Sequence, residues 1–291
     1  MSKKTVIACV GEAMVELSFD RPGQQISYAG DTLNTAVYLS RNIGAAAQVG
    51  FVSVLGGDAV SDRMRGFIAA QGVDCARITR HPTRLPGLYA IALDGAGERS
   101  FSYWRDQSAA RTLFEDGFAQ LAGADMIYLS GITLAILPPS IRIALLEHLA
   151  GHRAQIAFDS NYRPRLWEDV ATAKATIEAA WRVADIGLPS LDDEMALFGD
   201  RDGAAVRARL NGWGLNAGAL KRGEQGPLPL DPNCATPTVP AAQTIVDTTA
   251  AGDSFNGAWL AAYLQGASQT DRLLRGHAQA LKVIAQPGAI I

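Results

Sequence analysis

Short apolar runs alternate with helix-period segments along most of this chain, and that alternation constrains its fold more than any other feature. The runs TVIACVG (5–11), AAQVGFVSVLG (46–56), ADMIYLSGI (124–132), AQIAFDSN (154–161), VADIGLPSL (183–191) and AGALKRG (217–223) read as buried strands. Between them, segments 31–44, 61–72, 139–153 and 167–184 carry apolar residues at helical spacing. Strand and helix repeated in this way imply a mainly parallel sheet covered by helices on both faces, an α/β/α sandwich. At 291 residues the chain is long enough to bury a large core, and α/β folds of this size form as one unit, here 1–291.

Two stretches break the rhythm. Segments 14–28 and 85–105 show strand alternation around turn signals at Arg21-Pro22-Gly23 and Asp94-Gly95-Ala96-Gly97. They read as a small antiparallel sheet projecting from the main one, a lid or a subunit interface. The stretch 226–241 holds Pro227, Pro229, Pro232, Pro237 and Pro240, so it is a loop with edge strands.

Composition excludes several classes. A net charge of −3 gives no global attraction to nucleic acid or an anionic membrane, so any anion site must be local. The three cysteines are far apart and lack metal-ligand spacing, which fits buried thiols in a reducing cytoplasm. The four histidines, His81, His148, His152 and His277, show no ligand spacing either. The start of the chain has only a short apolar run, interrupted by Glu12 and Glu16, unlike a signal peptide or membrane span.

The stretch VDTTAAGDSF (246–255) carries the chemistry. Small residues precede the apolar helix SFNGAWLAAYLQG (254–266), so an anion can approach the unpaired N–H groups of its first turn. Ala250, Ala251 and Gly252 then form an anion hole. Asp253 beside it is expected to stay ionised, favoured by the helix N-terminus, and to accept a proton from a substrate hydroxyl. Taken alone, Asp253 is equally a helix cap.

The whole string resembles the DTxGAGD signature of the PfkB, ribokinase-like, sugar kinase family, with Ala250 in place of the usual first glycine. Gly30-Asp31-Thr32-Leu33-Asn34-Thr35-Ala36 resembles the family's GGxxxNxA segment, with Ala29 replacing one glycine. Leu55-Gly56-Gly57-Asp58 and Lys221-Arg222-Gly223-Glu224-Gln225-Gly226 resemble its LG.D turn and KxGxxG nucleotide loop. No GxxxxGK[ST] motif is present, which excludes a P-loop kinase, and no GxGxxG follows the first strand, which disfavours a dinucleotide oxidoreductase.

The resemblance implies a ribokinase-like fold and ATP-dependent phosphorylation of a sugar, with Mg²⁺ and, in some relatives, a monovalent cation. It implies Asp253 as base, with Ala250 to Gly252 and Arg163 at the transferring phosphoryl. ATP would contact Asn161, Lys221, Gly223, Gly226, Ala250 and Gly252. The sugar would contact Gly30, Asp31, Asn34, Tyr89, Tyr103, Arg105 and Arg163. Glu194 answers to the magnesium-organising acid of the family's NxxE motif, with Leu191 where Asn is expected.

The substrings GERSFSYWR and FDSNYRPRLW are most like the family's sugar-acid kinases. Tyr103 and Arg105 alternate on one strand face, so Arg105 can grip a carboxylate with paired hydrogen bonds. A neutral-sugar kinase such as a fructokinase is the alternative. A non-catalytic sugar or nucleotide sensor is the alternative from another class, disfavoured by the intact Asp253. The apolar alternation in 14–28 and 85–105 also points to a homo-oligomer formed through that sheet.

Overall fold

The computed structural model describes residues 4–19, 25–93 and 99–291. The turns expected at 21–23 and 94–97 lie outside the described residues. In chain order the elements are β1 (Thr5–Val10), β2 (Met14–Ser18), β3 (Gln25–Ala29), α1 (Asp31–Ile43), β4 (Ala47–Gly56), α2 (Ala59–Ala70), β5 (Ile78–His81), β6 (Gly87–Leu93) and β7 (Arg99–Trp104). They continue with β8 (Met126–Ser130), α3 (Gly131–Ile136), α4 (Pro139–Ala150), β9 (Gln155–Asp159), α5 (Val170–Val183), β10 (Ile186–Gly187), α6 (Leu191–Phe198) and α7 (Gly203–Gly212). The last are β11 (Ala219–Leu220), β12 (Leu228–Pro229), α8 (Ala251–Leu264) and α9 (Gln269–Ile284).

The main sheet has the order β10-β9-β8-β1-β4-β5, and every pairing in it is parallel. Side chains alternate across its plane. Ile7 and Cys9 of β1 join a core under α1, α2, α8 and α9, whereas Ala8 and Val10 join a second core under α3 to α7. Ile127 and Leu129 of β8 face the second core, Met126 and Tyr128 the first. Both faces are buried, so these strands read as continuous apolar runs in the sequence. Each large side chain buried this way contributes about 1.5–3 kcal/mol.

The segment 217–223 forms only the short β11, paired with β12, where Pro229 is tolerated in a two-stranded edge. Isolated parallel bridges from Gly187 to Gly218 and from Ser190 to Lys221 still carry the sheet on past β10.

The accessory sheet has the order β3-β2-β6-β7. Its outer pairs are antiparallel, but β2 and β6 pair in parallel, which corrects the expectation of a wholly antiparallel patch. The parallel join follows from the chain path. Each hairpin is a separate excursion from the main sheet, and both leave it in the same direction.

Candidate active site

The carboxyl ends of β8 and β9 and the N-termini of α1 and α8 surround a cavity of about 620 Å³, roofed by the accessory sheet. This is where ligands gather in open α/β sheets. From the sugar-side expectations, Gly30, Asp31, Tyr89 and Tyr103 line it. From the phosphate side, Asn161, Arg163, Lys221, Gly223 and 250–253 line it. A smaller slot of about 130 Å³ opens beside it between Gly226, Pro227, Phe255, His277 and Ala280. Lys221, Gly223, Ala251 and Gly252 border both spaces.

The helix α8 begins at Ala251, so Gly252 and Asp253 sit in its first turn rather than ahead of it. Ala250 caps it in the left-handed region, at φ 59°. The usual glycine of the motif would adopt that conformation freely, and alanine adopts it under strain. The Ala251 N–H closes a turn onto the Thr248 carbonyl, at 3.2 Å. The N–H groups of Gly252 and Asp253 remain the first-turn donors without an intrahelical acceptor. The Lys221 ammonium lies alongside, 3.6 Å from where a Cβ on Gly252 would stand.

Asp253 accepts a hydrogen bond from Asn34 Nδ2 at 2.9 Å, while the Thr35 hydroxyl donates to its backbone carbonyl at 3.2 Å. Both donors come from α1, which packs tightly on α8 at Gly257. A Cβ there would lie 2.7 Å from the Leu39 nitrogen and 2.8 Å from the Thr35 oxygen. Burial pushes the Asp253 carboxyl up to about 7, and the nearby Asp31 and Asp159 charges push the same way. The helix N-terminus therefore does not hold this acid fully ionised, contrary to expectation, because desolvation and like charge outweigh it. A carboxyl poised near neutrality suits a general base.

Asp31, the first residue of α1, accepts from Ser130 Oγ at 2.5 Å and from Asn161 Nδ2 at 2.8 Å. Asn161 itself holds a left-handed conformation, φ 31°, at the end of β9. Asn34 does not line the cavity. Its Oδ1 lies 3.4 Å from the Gly30 N–H, and its amide nitrogen orients Asp253.

Lys221 is held by Asp159 Oδ2 at 2.5 Å and by Asn256 Oδ1 at 3.1 Å. Asn256 also donates to Asp159 at 2.7 Å and to the Tyr128 hydroxyl at 3.0 Å. Sequence reading missed Asn256 and Tyr128 as site-supporting groups. The one available signal was that Asn256 lies one helical turn past Asp253.

Two expected residues stand elsewhere. Glu194 is fully buried, paired with Arg209 Nη2 at 2.8 Å, and does not line the cavity. The residues that do line it there are Ser190, Asp192 and Asp193. Ser190 and Asp193 have the same three-residue separation as Asn and Glu in NxxE, so the expected register was one residue too far along. The helix α6 starts at Leu191, which turns Leu191 and Glu194 into the core. Burial raises the Asp193 carboxyl above its usual range, opposed by Arg163 at 3.3 Å.

Arg105 is likewise absent from the cavity wall. The strand β7 ends at Trp104, so the strand-face argument stops one residue short. Arg105 is 7% exposed and ion-paired with the buried Glu12 at the root of the accessory sheet. Its Nε and the Glu12 Oε1 have no hydrogen-bond partner.

Comparisons with known proteins place the chain in a family. The chain belongs to the pfkB family of carbohydrate kinases, whose pattern matches residues 4–291. It is 41% identical to the 2-dehydro-3-deoxygluconokinase of Escherichia coli K12, covering 100% of this chain and 98% of that protein. It is 42% identical to the Dickeya dadantii protein of the same name, covering 98% and 96%. Among solved structures, the Thermotoga maritima 2-dehydro-3-deoxygluconokinase matches with a TM-score of 0.86 at 21% identity, covering 99% of this chain and 95% of that one. A Xylella fastidiosa fructokinase with bound ATP matches with a TM-score of 0.81 at 24% identity, covering 99% and 94%. These structural likenesses establish the ribokinase-like fold.

Proposed function

We propose that the protein transfers the γ-phosphoryl group of ATP to the 6-hydroxyl of 2-keto-3-deoxy-D-gluconate, giving 2-keto-3-deoxy-6-phosphogluconate. The observation that carries this reading is the position of Asp253. Asp253 lines the larger cavity, while the adjoining Ala251 and Gly252 and the Lys221 side chain border both spaces. The substrate follows from the full-length relatives above 40% identity, which bear that activity in their names.

In this mechanism the adenine end of ATP enters the smaller slot, and its phosphates run past Gly223 and Lys221 toward Gly252. Asp253 takes the proton from the 6-hydroxyl as that oxygen attacks the γ-phosphorus in line, the bond from that phosphorus to the β–γ bridging oxygen breaks, and ADP leaves. The N–H groups of Gly252 and Asp253, with Arg163 and Lys221, stabilise the charge spread over the phosphoryl oxygens. The accessory sheet over the sugar excludes water, which limits ATP hydrolysis.

Among the described residues no cluster of three His, Cys, Asp or Glu forms a ready metal cage. The residues fit an ion that arrives with the nucleotide and is touched from one side. Asp193 is a partly buried acid on the cavity wall whose charge a cation would offset. Asp193, with Ser190, would face the ion, and Mg²⁺ would neutralise phosphate charge there. Dependence on a monovalent cation is a separate expectation of the family resemblance, checked by exchanging K⁺ for a bulky organic cation.

Arg105 is proposed to receive the sugar carboxylate by exchanging it for that of Glu12. The unpartnered Arg105 Nε supports this, since a two-pronged carboxylate would satisfy it. The occupied Arg105 also favours a second reading, a neutral-sugar kinase in which this ion pair is structural. The Salmonella typhimurium fructokinase is 26% identical over 90% of this chain.

The outer face of the accessory sheet exposes Ile26 and Trp104, each at 62%. We propose that two copies of the chain pair through this face, which size measurement by light scattering tests. No helix among the described residues is long and apolar enough to cross a membrane, and an ATP-consuming reaction of this kind is proposed for the cytoplasm. The reading as a whole is tested by Asp253→Asn, which should lose most turnover while still binding ATP. Unchanged turnover would remove Asp253 as the base.

A further inference from the structure

A row of polar side chains crosses the cavity face of the accessory sheet. Glu16 on β2 pairs in register with Ser27 on β3 and with Tyr89 on β6, and Tyr89 pairs with Tyr103 on β7. Glu16 is buried, yet it points toward the same space as the cavity-lining Tyr89 and Tyr103. Its two carboxylate oxygens are both occupied. The Ser27 hydroxyl donates to Oε1 at 2.7 Å, and the Tyr89 hydroxyl donates to Oε2.

The second bond fixes the chemistry of Tyr89. Burial and the Glu16 charge hold the Tyr89 phenol above the usual tyrosine range, so it keeps its proton. That single proton is committed to Glu16. What remains on the phenol oxygen is lone-pair capacity alone. Turning the proton toward a ligand would strand a buried carboxylate oxygen, a loss greater than an ordinary hydrogen bond. Ser27 on the other oxygen, and the Tyr103 ring stacked on Tyr89 at 5.8 Å, keep both partners in place.

We propose that Glu16 is a specificity-determining positioning residue, which makes Tyr89 a pure hydrogen-bond acceptor and so reserves that spot for a substrate hydroxyl. A carbonyl or carboxylate oxygen placed there would meet lone pairs and be rejected. An acid sugar must then enter with its hydroxyl-bearing carbons toward Tyr89 and its keto-acid end elsewhere. Tyr103, 52% exposed, carries no such constraint and serves as donor or acceptor. This inference rests on the sugar kinase reading above.

A double-mutant cycle tests it, using kcat/KM for the sugar, KM for ATP and the melting temperature. Glu16→Gln and Tyr89→Phe should each lower kcat/KM for the sugar roughly tenfold, mostly through KM, with KM for ATP unchanged. The double variant should lose no more than Tyr89→Phe alone, because Glu16 acts through Tyr89. Losses that multiply, or an equal rise in KM for ATP, would overturn the proposal. Should Glu16→Gln fold poorly, Ser27→Ala replaces it. A few-fold loss that vanishes in the Tyr89→Phe background supports the proposal, and one that persists contradicts it. The cycle is run with whichever sugar the unaltered protein phosphorylates best, so a wrong substrate and a wrong role for Glu16 give different results. Turnover of no sugar at all overturns both.

Discussion

Asn34 on α1 donates its side-chain amide to the Asp253 carboxylate on α8, across 219 positions of sequence, at 2.9 Å. It lowers the pKa of an acid that burial, Asp31 and Asp159 otherwise raise, and the balance leaves Asp253 near 7. As a base Asp253 must be ionised, so kcat/KM for the sugar is expected to rise with pH and level off above about 7. Asn34→Ala removes the side-chain amide that donates to this carboxylate and should move that limb upward. A pH–rate profile without a limb in this region would contradict the assignment.

The same shift appears in stability. A raised folded-state pKa means that the unfolded chain releases this proton first as pH rises from about 4 to about 7. The folded state therefore loses stability across that window. Asp253→Asn removes the liability, so its melting temperature relative to the unaltered protein should climb over the window and stay constant above it. A difference independent of pH would show that Asp253 is not held near neutrality.

Ala250 holds a left-handed conformation at the start of α8. Ala250→Gly should stabilise the protein by about 1 kcal/mol by relieving that strain. Thermal unfolding checks this, with an expected rise of roughly 2–4 °C.

Gly257 is where α1 and α8 touch most closely. Gly257→Ala should cost about 1–3 kcal/mol by prising the helices apart. Since Asn34 and Thr35 hold Asp253 across this contact, turnover should fall along with melting temperature. A destabilised variant with unchanged kcat would show that the contact is structural alone.

Asp193 and Glu194 are neighbours with separate roles. Asp193→Asn should raise the Mg²⁺ concentration needed for half-maximal rate, with little change in melting temperature. Glu194→Gln should do the reverse, because it weakens the buried pair with Arg209. Magnesium titrations of both variants separate the two.

Much of this architecture was legible in the residues. Runs such as TVIACVG and ADMIYLSGI gave parallel strands because both faces of the sheet are buried, and the small residues of 250–252 marked the start of α8. The structure departs from the sequence reading where one residue of register decides direction. Leu191 and Glu194 fall on the buried side of α6, which leaves Ser190 and Asp193 at the cavity. Arg105 falls one residue past the end of β7 and turns inward to Glu12. The partners that set the Asp253 pKa were out of reach for another reason. Asp31 and Asp159 are distant in sequence, and only the packed sheet brings their charges together.

The proposed role of Arg105 is tested by removing its side chain. Arg105→Ala leaves Glu12 buried and unpaired, so a stability loss of about 3–5 kcal/mol is expected whatever the substrate. The informative quantity is the ratio of KM for the acid sugar to KM for ATP, which should rise strongly. Equal effects on both would make the ion pair purely structural.

The central claim is most directly tested by ADP production with ATP and Mg²⁺, comparing 2-keto-3-deoxygluconate, fructose and ribose at matched concentrations. The account predicts strong preference for the keto acid. A preference for fructose would keep Asp253 and the nucleotide site but contradict the acid-sugar assignment, leaving Arg105 as the structural partner of Glu12.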